Sequence, residues 1–184
     1  MLLGSGTTLQ SIIDAINSKE LDAKINLVIS NNKNAYALER AKSNNIDTYL
    51  IKNIDVSQAN IEIENVLKNY DVDLIVLAGY LKMIGENLTS KYQIINTHPS
   101  LLPKFGGKGM YGMKVHTAVW ENKENFTGPT IHFVNNEYDK GNIITQTKIE
   151  VKPTDTPAVI SAKVQAIEKI QLVETLKMFI NGKL

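Results

Sequence analysis

Leu74-Ile75-Val76-Leu77-Ala78-Gly79 is the stretch on which the fold turns. An apolar run with no polar alternation, stopped by glycine, is the pattern of a strand buried on both faces, as in a parallel sheet covered by helices. From residue 60 onward, Ile61, Ile63, Val66, Leu67 and Tyr70 fall mostly on one face of a helix that leads into this strand.

The same alternation extends in both directions. Residues 25 to 30 predict a strand, 35 to 44 a short helix closed by an Asn pair, and 49 to 51 a weaker strand. Downstream, 93 to 96 predicts a short strand ended by the Pro99 region. Residues 103 to 114, carrying Gly106, Gly107, Gly109 and Gly112, predict a loop. Residues 130 to 134 and 143 to 151 predict two strands joined by a polar turn at Asp139-Lys140-Gly141, giving the sheet an antiparallel edge. Thr156-Pro157 is an N-cap and first-turn pair, and 159 to 179 predicts one long helix with Gly182 after it. The expected class is α/β, a Rossmann-like, mostly parallel sheet with helices on both faces, in a single domain over residues 1 to 184.

Composition narrows the possibilities. With 184 residues, 43% of them hydrophobic, the chain can bury a sizeable core without a disulfide or metal staple. The absence of cysteine excludes a disulfide framework, a zinc ribbon and a thiol nucleophile, and makes a reducing, cytoplasmic setting the expectation. The longest apolar stretch is the one at Leu74 to Ala78, far short of the ~20 residues of a membrane span. A formal charge of +1 supplies no long-range field toward nucleic acid or an anionic membrane.

Chemistry is concentrated in a few places. Asn96 and His98 are two apart at a strand end, so both project from one sheet face. Pro99 keeps His98 extended at the edge where open α/β sheets place ligands. An amide donor beside an imidazole can stabilise an oxyanion and move a proton near neutrality; a histidine that merely satisfies a loop carbonyl is the alternative. Asp139 is a second candidate acid–base group, although spacing alone favours ordinary Asp-x-Gly turn chemistry there. His132 shares a face with Thr130 and Val134 and could be packed or ligand-facing, and His116, at a helix start after the glycine loop, could also be either. Gly4 to Leu9 places backbone amides and hydroxyls at a helix N-terminus, a seat for one phosphate. Leu9 stands where the dinucleotide fingerprint wants a third glycine, and Ser30-Asn31-Asn32 follows the second strand where that fingerprint wants an acid.

Taken together, the glycine loop, Ser30-Asn31, Val76 to Ile84, Asn96-Thr97-His98-Pro99-Ser100-Leu101-Leu102-Pro103 and Gly128 through Gly141 resemble the folate-dependent phosphoribosylglycinamide formyltransferases over nearly the whole chain. The Asn-x-His-Pro-Ser-Leu-Leu-Pro string is specific to folate-dependent formyltransferases and their hydrolase relatives. The resemblance implies formyl transfer from 10-formyltetrahydrofolate to the amine of glycinamide ribonucleotide, in purine synthesis and without a metal. It implies that Asn96, His98 and Asp139 form the catalytic set, with Asp139 holding a protonated His98. It further implies that Gly6, Thr7 and Thr8 seat the ribonucleotide phosphate, that Glu168 reaches the ribose or glycinamide, and that His132 lines the site. The folate would lie against Leu81, Lys82, Met83 and Ile84 and against Asn135, Asn136, Glu137 and Tyr138. Small-molecule partners, no nucleic acid or membrane, and a monomer or homodimer are the matching expectations.

Three departures accompany it. The family has a full strand before the glycine loop, whereas Met1-Leu2-Leu3 alone precede Gly4, so an N-terminally shortened chain is expected. Thr8 stands where the usual loop has Asn. Residues 53 to 62 lack the basic residue that members use for the folate's acidic tail. A formyltetrahydrofolate hydrolase and a non-catalytic folate- or nucleotide-binding remnant are the rival readings.

Overall fold

The computed structural model describes residues 6–184; Met1–Leu3, with Gly4 and Ser5 of the glycine loop, lie outside the described residues. Six helices and eight strands follow one another among them, α1 (Thr7–Asn17), β1 (Leu27–Ser30), α2 (Tyr36–Ser43), β2 (Asp47–Leu50), α3 (Val56–Leu67) and β3 (Leu74–Leu77) forming the first half. The second half is α4 (Glu86–Thr89), β4 (Gln93–His98), α5 (Met113–Glu121), β5 (Phe126–Thr127), β6 (Thr130–Phe133), β7 (Ile143–Gln146), β8 (Ile149–Glu150) and α6 (Pro157–Ile180).

β1 and β2 pair in parallel, as do β3 and β4. β4 then pairs antiparallel with β6, and β6 with β7, which gives the order β3-β4-β6-β7 and the antiparallel edge read from the sequence. Alternation across the strands assigns the two faces. Ile75, Leu77 and Ile94 pack with Ile63 and Leu67 of α3 and Leu88 of α4. Ile95 of β4 and Ile131 of β6 pack on the opposite face against Leu172, Val173 and Leu176 of α6. α6 starts where its cap requires: Thr156 Oγ1 accepts from the Val159 amide, and Pro157 follows with no amide to satisfy. α3 is capped by Asp55, whose Oδ1 accepts from the Gln58 amide at 2.9 Å.

Several expectations are corrected. α3 begins at Val56, four residues before its apolar pattern, because the Asp55 cap opens it there. Its buried face carries Ala59, Asn60, Ile63 and Leu67, while Ile61 is exposed. Asn60 can be buried because its side chain donates to the Val56 and Met83 carbonyls and accepts from the Gly85 amide. The single strand expected over 143 to 151 is two: β7 stays in the main sheet, whereas β8 leaves it to pair with β5. No helix among the described residues is long and apolar enough to cross a membrane.

Two cavities matter. An apolar one of about 290 Å³ lies between α1, β1 and β3, beside Leu176 and Ile180 of α6. A much smaller one of about 60 Å³ opens beside Asn96, His132 and Asp139.

Candidate active site

The larger cavity contains none of the histidines; the chemistry gathers at the smaller one. β4 runs through His98 itself, and its antiparallel register sets Asn96 opposite His132 and His98 opposite Thr130. Asn96 Nδ2 donates to His132 Nε2 at 3.1 Å. His132 Nδ1 donates to the Phe133 carbonyl at 2.8 Å, which leaves Nε2 as the accepting nitrogen. His98 is fixed in the same way. Its Nε2 donates to the Phe105 carbonyl at 2.8 Å, so Nδ1 is the nitrogen that titrates.

His98 Nδ1 and His132 Nε2 both face one carboxylate. His98 Nδ1 is 3.4 Å from Asp139 Oδ2, and His132 Nε2 is 3.5 Å from Asp139 Oδ1. The Gly107 amide donates to Asp139 Oδ2 at 2.8 Å. Asp139 adopts a left-handed backbone (φ 56), which Asp tolerates better than most residues. The strand pair and the polar turn thus converge on two imidazoles around one carboxylate.

The electrostatics separate the partners. Burial lowers the His98 pKa below its usual value, only partly offset by Asp139 and the Phe105 carbonyl. Burial thus disfavours the protonated form of His98 in the unliganded protein, and the Asp139 carboxylate acts in the opposite direction. For Asp139, burial acts upward but is outweighed by the His132 ring, the charge of His98 and the Gly107 amide, which hold it below the usual carboxylate range. A neutral imidazole beside an ionised carboxylate can accept a proton and stabilise the resulting charge.

The loop over residues 103 to 114 lies against this cluster. A Cβ on Gly106 would stand 2.5 Å from Leu102 Cδ2 and 3.3 Å from Asp139 Cβ, so the absent side chain is what lets the loop lie against Asp139. Beneath it, Thr130 Oγ1 donates to the Ser100 carbonyl at 2.6 Å and accepts from the Leu102 amide at 3.1 Å and from Gln146 Nε2 at 2.9 Å. Sequence reasoning missed these supports. Phe105 and Gly107 act through backbone atoms, which leave no residue-type signal; buried Thr130 could have been suspected from its place opposite His98.

Thr8 and Glu168 also meet. Thr8 Oγ1 donates to Glu168 Oε1 at 3.2 Å. Burial raises the Glu168 pKa, against hydrogen bonds from Thr97 and Thr8. Thr97 sits between Asn96 and His98 on the other face of β4, so the Glu168 cluster is tied to the same strand as the histidine cluster. Gly6 caps α1 and Thr7 opens it.

Of the residues expected against the folate, Lys82, Met83, Ile84, Asn135, Glu137 and Tyr138 line the small cavity, along with Leu77, Tyr80 and Val134, which the sequence did not single out. Leu81 is exposed and its carbonyl accepts from Tyr138 Oη at 3.4 Å; Asn136 Oδ1 accepts from Thr89 Oγ1 at 3.0 Å. Neither Leu81 nor Asn136 is a lining residue. His116 stands apart, buried on α5, with Nδ1 unpartnered among the described residues. Burial, with a smaller effect from His98, lowers its pKa to about 4. No group of three or more His, Cys, Asp or Glu among the described residues is placed to hold a metal ion.

Known proteins carry the same framework. The formyl transferase family matches residues 1–176. The phosphoribosylglycinamide formyltransferase of Haemophilus influenzae is 38% identical, with all of this chain and 87% of that protein covered. The chloroplastic enzyme of Arabidopsis thaliana is 38% identical over 88% of this chain, which spans 57% of the plant protein. Among solved structures, the phosphoribosylglycinamide formyltransferase of Coxiella burnetii superimposes with a TM-score of 0.89 at 35% identity, covering 98% of this chain and 85% of that one. A match over nearly the whole chain, at this identity and with the same fold, places the protein in the formyl transferase family, among the phosphoribosylglycinamide formyltransferases.

Proposed function

We propose that the protein transfers the formyl group of 10-formyltetrahydrofolate to the primary amine of glycinamide ribonucleotide, releasing tetrahydrofolate, and that Asn96, His98 and Asp139 carry the reaction. The observation that supports it most is that Asn96 and Asp139 line one cavity while the Asp139 carboxylate reaches back to the titratable nitrogen of His98.

In this reading the amine attacks the formyl carbon, forming a C–N bond and placing negative charge on the formyl oxygen. The Asn96 amide donates to that oxygen. Collapse breaks the bond from carbon to N10. The proton lost by the amine passes through His98 Nδ1, stabilised by Asp139, to N10, so the leaving nitrogen departs neutral. Glu168, half-buried and held by Thr8 and Thr97, reads a ribonucleotide hydroxyl, and Gly6, Thr7 and Thr8 meet its phosphate at the start of α1, where backbone amides favour an anion. The folate ring enters beside Met83, Ile84, Asn135 and Tyr138. No role for a metal arises from these residues.

Following folate product formation with and without glycinamide ribonucleotide tests the reading. Strict dependence on the ribonucleotide is expected. Turnover without it would identify a hydrolase, and folate binding without turnover would identify a non-catalytic remnant.

A further inference from the structure

Tyr80 lies just past β3, only 7% exposed, within the cluster that joins the sheet to α3. Its ring lines the small cavity with Met83, Asn96 and Tyr138, and its hydroxyl is buried with no hydrogen-bond partner among the described residues. An unmet buried hydroxyl destabilises a fold, whereas Phe fills the same space without that cost. In a core position with no other task, Phe is the better residue.

Burial and the neighbouring Tyr138 raise the Tyr80 pKa to about 12, so the group is a neutral phenol able to donate or accept. Tyr138 also lines this cavity, and its hydroxyl contacts the Leu81 carbonyl at 3.4 Å.

We propose that Tyr80 is a specificity-determining residue, its hydroxyl left unmet in the free protein so that it can pair with a polar edge atom of the heterocyclic ring entering this cavity. The inference rests on the proposed function, in which that ring is the folate's. It selects a hydrogen-bonding heterocycle over an apolar ring of equal size, because a ligand that cannot pair leaves the phenol orphaned.

Tyr80→Phe tests this without altering the packing. Calorimetric titration with 5-formyltetrahydrofolate is expected to show binding weakened about fivefold in the variant, the size of one neutral hydrogen bond. A thermal melt of the unliganded variant should match or exceed the parent, since an unmet group has been removed. Equal folate affinity in parent and variant would overturn the inference and mark Tyr80 as a plain core residue. A lowered melting temperature without ligand would overturn it too, by showing that the hydroxyl is already satisfied in the free protein. A parent that binds no folate would instead overturn the proposed function, and this inference with it.

Discussion

Asp139 Oδ2 lies 3.4 Å from His98 Nδ1 and takes the Gly107 amide at 2.8 Å, so one carboxylate oxygen joins the polar turn, the end of β4 and the loop over residues 103 to 114. Asp139→Asn keeps the shape and the left-handed backbone but removes the charge that stabilises protonated His98. Turnover is expected to fall by about 10²–10⁴, the usual contribution of acid–base catalysis, with the melting temperature nearly unchanged. Activity within a few-fold of the parent would return Asp139 to an ordinary turn role.

Gly141, in the same turn, should behave in the opposite way. A Cβ there would sit 1.7 Å from the Phe133 carbonyl oxygen, the atom that accepts from His132 Nδ1. Gly141→Ala is expected to destabilise the fold by about 3 kcal/mol or more, read as the loss in unfolding free energy. An unchanged denaturant midpoint would show that the turn relaxes freely.

The His98 pKa lies below 6.5 and the neutral ring is the working form, so kcat/KM should be level through neutrality and fall only at acidic pH. His98→Ala should lower the whole profile with little change in stability. An acid limb starting above pH 7 in the parent would contradict a lowered His98.

His116 makes a separate prediction about stability. Its folded pKa of about 4 is below the unfolded value of 6.5, so the unfolded chain binds the proton first and stability declines as pH falls from 6.5 toward 4. The loss is on the order of 2 kcal/mol, and His116→Gln should flatten that part of the curve while the parent's steepens it. Parallel curves for parent and variant across this window would refute the assignment.

Glu168→Gln and Thr97→Val probe the second cluster. Each removes one member of the Thr8, Glu168 and Thr97 set, and each is expected to raise KM for the ribonucleotide about tenfold, leaving that for the folate alone. Equal rises for both substrates would point to a general distortion.

Much of this was legible beforehand because it depends on residue type and spacing. The β3 run announces a doubly covered strand, and the two-residue step from Asn96 to His98 fixes their common face. What escaped depends on backbone atoms or on competition between partners. Nothing in Phe105 or Gly107 as residue types says that a carbonyl or an amide will anchor a catalytic group. The apolar pattern continues across 143 to 151, and only the pairing of Ile149 with Thr127 shows where the chain changes sheets. For His98, residue types name the neighbouring carboxylate but not the depth of burial, which acts against it.

The alternation of β4 has a consequence for how this protein can change over time. Asn96 and His98 serve one face and Thr97 the other, with a single peptide backbone between them. Inserting or deleting one residue upstream within the strand would swap the faces and silence both clusters at once. Adaptation is thereby channelled into exchanges of side chains at fixed positions and into the loops, and the length of this strand is closed to drift.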